Sequence, residues 1–133
     1  MSTSGPKQAQ YPHQIVERVA EFMSAGDMEG VVSMFHPECV MAMDPDGEPL
    51  VGHDAIRGVF GDFVGQRMVL EGEVTGEMIN GDTALLQGNW RILDQQGNTV
   101  MGGDSSEVAK RTAEGGWVYY IDCPLSVPKP KRG

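Results

Sequence analysis

The spacing of apolar residues changes once along this chain, at Arg67, and the change decides which folds are open to it. Before Arg67 the apolar residues recur every three or four positions, as in helices that bury one face. After Arg67 they recur at every second position, as in strands with one buried face. A block of helices followed by a block of hairpin-linked strands predicts an α+β domain, with the helices on one face of a mostly antiparallel sheet.

Three helices are predicted in the first half of the chain. The first begins near Tyr11 and ends at Gly26, a residue suited to the left-handed conformation that follows a helix. Asp27 can cap a short second helix, which His36-Pro37 is expected to end. The third starts at about Asp54, and its glycines at positions 58 and 61 are expected to let it lie close to the sheet. Its apolar face is predicted to hold Ile56, Val59, Phe60 and Phe63.

The strands can be placed from turn residues and alternation. A short buried strand is expected over 39–44, followed by a turn over 45–49. Alternation from Arg67 to Met78 predicts a long strand, and Asn80-Gly81 is a strong hairpin signal. Three more strands are predicted over 83–93, 99–111 and 117–122.

Length and composition indicate one domain and exclude some functions. We expect a domain over residues 11–124, a disordered segment at 1–10 and a flexible basic tail at 125–133. A net charge of −9 argues against nucleic-acid binding. No segment has the length of apolar sequence that a membrane span needs, and the two cysteines indicate core positions in a reducing, cytoplasmic environment.

Several motifs carry a family resemblance. Residues 25–57 contain Ala-Gly-Asp-x-x-Gly, then Phe35, then Asp-Pro-x-Gly from Asp44, then Gly-x-x-Ala-Ile-Arg from Gly52. This progression resembles the ketosteroid isomerases, and segments 105–111 and 116–122 resemble the last hairpin of their SnoaL-like homologues. The resemblance implies a cone-shaped fold, in which a strongly curved, mixed, mostly antiparallel sheet packs against three N-terminal helices and encloses a pocket. It also implies a homodimer formed through the outer face of the sheet.

Asp44 is the catalytic candidate that the resemblance provides, because it matches the general base of the isomerases. A carboxylate at a dry pocket mouth can move a proton between two carbon atoms. The alternative is that Asp44 only starts the Asp-Pro-Asp-Gly turn by hydrogen bonding to the backbone that follows it.

The rest of the isomerase machinery is incomplete in this sequence. The tyrosine donor of the isomerases falls at Val19 and the protonated aspartate falls near Ser106, so steroid isomerisation is not expected. Glu107 and Asp122, on the last two strands, are candidates for a second acid or base, or else solvated strand residues. Tyr119 and Tyr120 must point to opposite faces, and one of them is expected to line the interior with Trp117 and Ile121.

Strand 83–93 allows two orientations. In the register of the resemblance, Gln87, Asn89 and Arg91 face the cavity and suit a polar or anionic ligand, with a carboxylate held by Arg91. The outward apolar set would then be a dimer face. In the opposite orientation, that apolar set faces the core and Gln87, Asn89 and Arg91 are in solvent. The apolar set is Ala84, Leu86, Gly88, Trp90 and Ile92.

The expected function is therefore small-molecule binding with acid–base chemistry of the isomerase, cyclase or lyase type, using neither a metal nor an organic cofactor. The expected ligand contacts are Gln87, Asn89, Arg91, Ser106, Glu107, Tyr119 and Asp122. One alternative is a non-catalytic ligand-binding or dimeric assembly domain. A weaker alternative is an epoxide-hydrolase-like site that pairs Arg91 with Asp122.

Overall fold

The computed structural model describes residues 8–131 of the chain, and these form a helical layer packed on one curved sheet. A short 3-10 turn over Pro12–Gln14 leads into the first helix. The helices are α1 (Ile15–Ala25), α2 (Met28–Ser33) and α3 (Gly52–Gly65). The strands are β1 (Phe35–Met41), β2 (Leu50–Val51), β3 (Val69–Asn80), β4 (Thr83–Leu93), β5 (Thr99–Arg111) and β6 (Trp117–Cys123).

The six strands form one sheet in the order β2-β1-β6-β5-β4-β3. The β1–β6 pair is parallel and every other pair is antiparallel. The sheet curves without closing, and the three helices cover its inner face. The predicted α+β class, with a mixed and mostly antiparallel sheet, is confirmed.

The junction between α1 and α2 has the two capping residues that the sequence predicts. Gly26 takes a left-handed φ of 73° just after α1. Asp27 then caps α2, its side chain accepting a hydrogen bond from the backbone N–H of Gly30 at 2.9 Å.

The chain enters the sheet earlier than predicted at two points. Ala9 is fully buried and bridges to Trp117, so pairing starts before the predicted domain start at Tyr11. Strand β1 begins at Phe35, because the N–H of Tyr119 binds the carbonyl of Met34 and draws the chain to β6. His36-Pro37 therefore lies inside β1, at an irregular stretch of the ladder that tolerates the missing N–H of proline. Residues 1–7 and 132–133, which hold parts of the predicted flexible ends, lie outside the described residues.

The glycines in the helices and on the strand facing them differ in how closely other groups pack against them. Those at 58 and 61 on α3 have nothing near the position of a Cβ, so the predicted close approach to the sheet there is wrong. Close approach occurs instead at Gly72 on β3, where a Cβ would overlap the side chain of Val16 on α1. Gly30 on α2 meets the ring of Phe22 in the same way.

Replacement of these helical glycines should therefore have opposite effects on stability. Gly30→Ala should lower the free energy of unfolding by about 1–3 kcal/mol, because its new methyl group overlaps Phe22. The matched control Gly58→Ala should raise it by roughly 0.5–1 kcal/mol, because alanine favours an exposed helix position. Urea denaturation measures both, and equal effects of the two changes would contradict this packing.

Candidate functional site

A cavity lies between the inner face of the sheet and helices α1 and α3. The cavity has a volume of about 80 Å³, measured as the space open to the centre of a water molecule. This volume is enough for a ring-sized ligand or several waters. Its wall is mainly apolar: methionines and aliphatic side chains alternate with five aromatic rings, those of Phe35, Phe60, Phe63, Trp90 and Tyr119. Such a wall, with a few polar groups, is typical of small-molecule sites.

Linked aromatic rings fix one side of the cavity. The ring of Phe60 on α3 lies 5.8 Å from that of Phe35 on β1, which in turn lies 5.4 Å from the ring of Tyr119. Both pairs are tilted, as aromatic pairs prefer. These contacts hold Tyr119 in place from the helix side.

The polar groups of the interior come from two neighbouring strands. Ser105 and Glu107 of β5 line the cavity, and so do Tyr119 and Asp122 of β6. Glu107 and Asp122 are direct cross-strand partners. Side chains so paired lie about 5 Å apart at Cβ, so the two carboxyl groups form a pair.

A bulge in β6 turns this pair inward. Val108 pairs with Ile121 and Ala109 with Tyr119, so Tyr120 has no partner in the ladder. Tyr119 and Asp122 consequently share the inner face although three positions separate them. Ile121, which the alternation places inside, is instead 38% exposed, whereas Asp122 is 7% exposed. The prediction of an interior Ile121 is therefore wrong.

Burial changes the acid–base properties of this pair. It raises the pKa of Asp122 well above the usual range, and the nearby charge of Glu107 raises that pKa further. Burial also raises the pKa of Glu107 to about 6, although the Ser105 hydroxyl opposes the shift. The pKa of Tyr119 rises too, first through burial and then through the two carboxylates. The raised pKa values of both groups favour a state in which a carboxylate lies beside a carboxylic acid, because two buried charges so close would repel each other.

Positive charge is missing from the cavity wall. Two acids, Glu107 and Asp122, point into the cavity, and the described lining includes no Lys, Arg or His; the Glu73 carboxylate lies on the outer face beside the Asn89 amide. No protein hydrogen bond to the Asp122 carboxyl group is found within residues 8–131, so that group is open to a bound molecule.

Asp44 lies outside the cavity lining, in the turn after β1. Its side chain is exposed and accepts a hydrogen bond from the N–H of Asp46 at 3.0 Å, and its carbonyl accepts one from Gly47. The preceding residue, Met43, does line the cavity. The geometry of Asp44 is that of the turn-forming alternative.

Strand β4 adopts the orientation opposite to the one that the resemblance implied. Ala84, Leu86 and Ile92 are buried against the helices, because those helices cover the alternating apolar positions. The apolar set is thus part of the core and cannot be a dimer face. Arg91 is exposed and paired with Glu71 at 2.7 Å, on the side of the sheet away from Asp122.

The polar residues of β4 gather on the outer face. Gln87, Asn89 and Ser106 border a shallow outer groove together with Asp104 and Ser126. The backbone of Asn89 reaches the cavity lining, but its side-chain amide lies 3.5 Å from the carboxylate of Glu73. The structure thus separates the predicted ligand contacts into an interior set of Glu107, Tyr119 and Asp122 and an outer set of Gln87, Asn89, Arg91 and Ser106.

Several residues of the cavity wall were not predicted as site residues, among them Ser105, Trp90 and Pro124. Ser105, rather than its neighbour Ser106, faces inward. Trp90 lines the cavity, and its indole N–H donates to the carbonyl of Pro124 at 2.8 Å. The inward alternation of β4 is the signal that identifies Trp90, whereas no local signal marks Pro124.

No group of three or more His, Cys, Asp or Glu is placed to hold a metal ion within residues 8–131. In the same part of the chain, no helix has both the length and the apolar character needed to cross a membrane.

The raised pKa of Glu107 predicts a pH-dependent stability. Glu107 titrates near 4.5 when unfolded and near 6 when folded, so between these values the folded chain binds more protons. The free energy of unfolding should therefore fall by about 2 kcal/mol as the pH rises through this range. Tyr119 and Asp122 share the cavity with Glu107, and the raised pKa of Asp122 lowers the free energy of unfolding with the same sign from pH 3.8 upward, in addition to the contribution of Glu107.

Urea unfolding at about pH 4 and about pH 7 measures this effect. Glu107→Gln should reduce the loss of stability between the two conditions, because the variant has no carboxyl group to ionise at this position. The exposed control Asp44→Asn should keep the wild-type dependence, and an unchanged dependence in Glu107→Gln would contradict the buried position of this carboxylate.

Comparison with known structures supports the fold. An NTF-2 like protein of unknown function from Shewanella oneidensis superposes with a TM-score of 0.69 at 14% identity, over 85% of this chain and 94% of that one. A putative aromatic ring hydroxylase from Novosphingobium aromaticivorans gives a TM-score of 0.64 at 21% identity, over 83% and 82% of the two chains. A putative calcium/calmodulin dependent protein kinase II association domain from Xanthomonas campestris gives 0.63 at 14% identity, over 88% and 86%.

At these identities the likeness shows the fold alone, and no curated protein matches the sequence significantly. The sequence profile of the SnoaL-like domain matches residues 16–120, a stretch that begins in α1 and ends in β6. That stretch contains most of the cavity lining, including Glu107 and Tyr119, and it ends two residues before Asp122. The chain belongs to the SnoaL-like domain family.

Proposed function

We propose that this protein binds a ring-sized, mainly apolar molecule in the cavity and moves a proton on it, as an acid–base isomerase, cyclase or lyase does. The observation that supports this proposal is the pair of half-buried Glu107 and buried Asp122, directly opposite each other in a mainly apolar wall. A structural role does not call for two unneutralised carboxyl groups there, because burying them costs stability.

The two carboxyl groups suit complementary roles. A pKa near 6 keeps Glu107 mostly ionised at neutral pH but basic enough to accept a proton from a ligand C–H. Burial and the nearby Glu107 raise the pKa of Asp122 well above its usual range, which favours its protonated form, so Asp122 suits the role of donor to the atom on which charge develops. The hydroxyl group of Tyr119 is a second donor beside it.

This assignment gives the role of base to Glu107 instead of Asp44. The assignment also takes the hydrogen-bond donors from β6. The helix α1, where the isomerases have a tyrosine donor, contributes only Val16 and Val19 to the cavity wall. The absence of a donor on α1 favours a second candidate, a binding protein that holds its ligand without turnover. The two candidates differ in whether a bound ligand exchanges protons.

Hydrogen–deuterium exchange tests the proposal. Ring-sized ketones and cyclic imines with acidic C–H bonds would be incubated with the protein in D₂O, and exchange would be followed by NMR. Glu107→Gln should lower the catalysed exchange by about 100-fold or more, because it removes the base. Asp122→Asn should also lower it, because the acid is lost.

Asp44→Asn serves as the matched control and should leave exchange unchanged, since Asp44 is exposed outside the cavity. Exchange that is lost in Asp44→Asn but kept in Glu107→Gln would return the base to Asp44 and overturn the assignment. Binding to the wild-type protein with no exchange would favour the non-catalytic candidate.

We further propose that two copies pair through the outer face of the sheet. Met78, Leu85, Val108 and Ile121 are successive cross-strand partners and form a continuous apolar band across β3, β4, β5 and β6. Met78 is 73% exposed and Leu85 54% exposed. Met78 reaches this face because of an irregularity between Val74 and Gly76, so the predicted unbroken alternation of β3 is wrong. A contiguous exposed apolar band is typical of an interface.

Leu85→Glu should convert the dimer into a monomer, because it places a charge at the centre of the apolar band. Sedimentation velocity measures the change. Val51→Glu is the control, since Val51 is an exposed apolar residue on the edge strand β2, separated from β6 by β1, and its replacement should leave the dimer intact. A wild-type protein that sediments as a monomer would contradict this proposal.

A further inference from the structure

The charge of the cavity restricts the ligand more than its shape does. With a pKa of about 6, Glu107 carries a negative charge near neutral pH beside Asp122, and the described wall provides no cation to balance it. Two arginines outside the cavity are paired with other acids: Arg91 binds Glu71 on the outer face, and Arg57 of α3 binds Glu29 and Asp54.

A negative charge in an apolar cavity is costly unless something neutralises it. An anionic ligand would add to the cost, because it would meet two acids and no basic side chain. A neutral ligand would leave the charge unbalanced. A cationic ligand would balance it, and the net charge of −9 would also favour the approach of a cation.

The aromatic wall favours a cation as well. Phe60, Tyr119 and Trp90 border the same space as the carboxyl pair. The faces of such rings attract a cation, and the attraction is strongest where water is excluded. Beside carboxylates and rings, an ammonium or iminium group of an apolar molecule would find both kinds of contact.

We propose that the ligand carries a basic nitrogen, and that it binds as an amine or imine with its nitrogen at Glu107 and Asp122 and its apolar body against the aromatic wall. This inference rests on the proposed function, since it concerns the same cavity. It replaces the polar or anionic ligand that the sequence suggested, because Arg91 is not in the cavity.

The same class of ligand fits the proton transfer. Asp122 gives its proton to the nitrogen of an imine, which forms an iminium ion, and Glu107 takes a proton from the neighbouring carbon. The C–H bond breaks and its electron pair forms a carbon–carbon double bond, while the former C=N pair stays on nitrogen. The product is the enamine tautomer, and a proton passing from Glu107 to Asp122 restores the site.

Three probes of similar shape test the charge preference: benzylamine, benzyl alcohol and benzoate. Titration calorimetry at neutral pH should find that benzylamine binds at least about tenfold more tightly than benzyl alcohol, and that benzoate binds most weakly. Binding of benzylamine should release protons, because a cation favours ionised Asp122; repeating the titration in buffers of different ionisation enthalpy measures this release.

Glu107→Gln should remove the preference for benzylamine over benzyl alcohol, whereas Asp44→Asn, which loses the same charge outside the cavity, should keep it. Asp122→Asn should abolish the proton release, and urea unfolding checks that each variant is folded. If benzyl alcohol binds as tightly as benzylamine, the basic-nitrogen inference fails while the cavity remains a binding site. If none of the probes binds and no ketone or imine exchanges protons, the proposed function fails as well.

Discussion

The pairing of β5 with β6 decides what the interior of this protein contains. Within that ladder β6 carries one unpaired residue, Tyr120, and the residues on either side of it change face as a result. A regular strand would place Ile121 inside and Asp122 in solvent, and the cavity would then hold one carboxyl group less. The chemistry of the site thus depends on a backbone irregularity, because a bulge can redirect a side chain without any change in the helices that cover it.

The helical layer gives the bulge in β6 its chemical effect, because it covers the side chains that the bulge turns inward. Because α1 and α3 exclude water from the inner face, the carboxyl groups of Glu107 and Asp122 differ in pKa from solvated ones. Burying these carboxyl groups lowers the stability of the fold. The apolar contacts of core residues such as Ile15, Ile56 and Leu86 offset this loss. A trade-off between stability and activity of this kind is common where buried acids are part of a site.

Elements with strong local signals could be predicted from the sequence. Alternation and turn residues place β4 and β5 at the observed bounds, and Gly26 and Asp27 mark the junction of α1 and α2. The β4 residues could not be oriented from the resemblance, although hydrophobic alternation alone favours the observed face. Bulges have no local signature, since pairing with a neighbouring strand creates them, and so Met78 and Ile121 were misplaced. Glu107, Tyr119 and Asp122 could be named as candidates, but that they lie together follows from the register of β5 and β6.

The hydrogen bond between Trp90 and Pro124 has a spectroscopic consequence. It ties the indole to the chain that leaves β6, so the ring stays on the cavity wall at a fixed orientation. The chain has two tryptophans, and the other, Trp117, is buried outside the cavity lining. Indole emission responds to nearby charges and to the polarity of its surroundings, so Trp90 is a built-in optical reporter of what occupies the cavity.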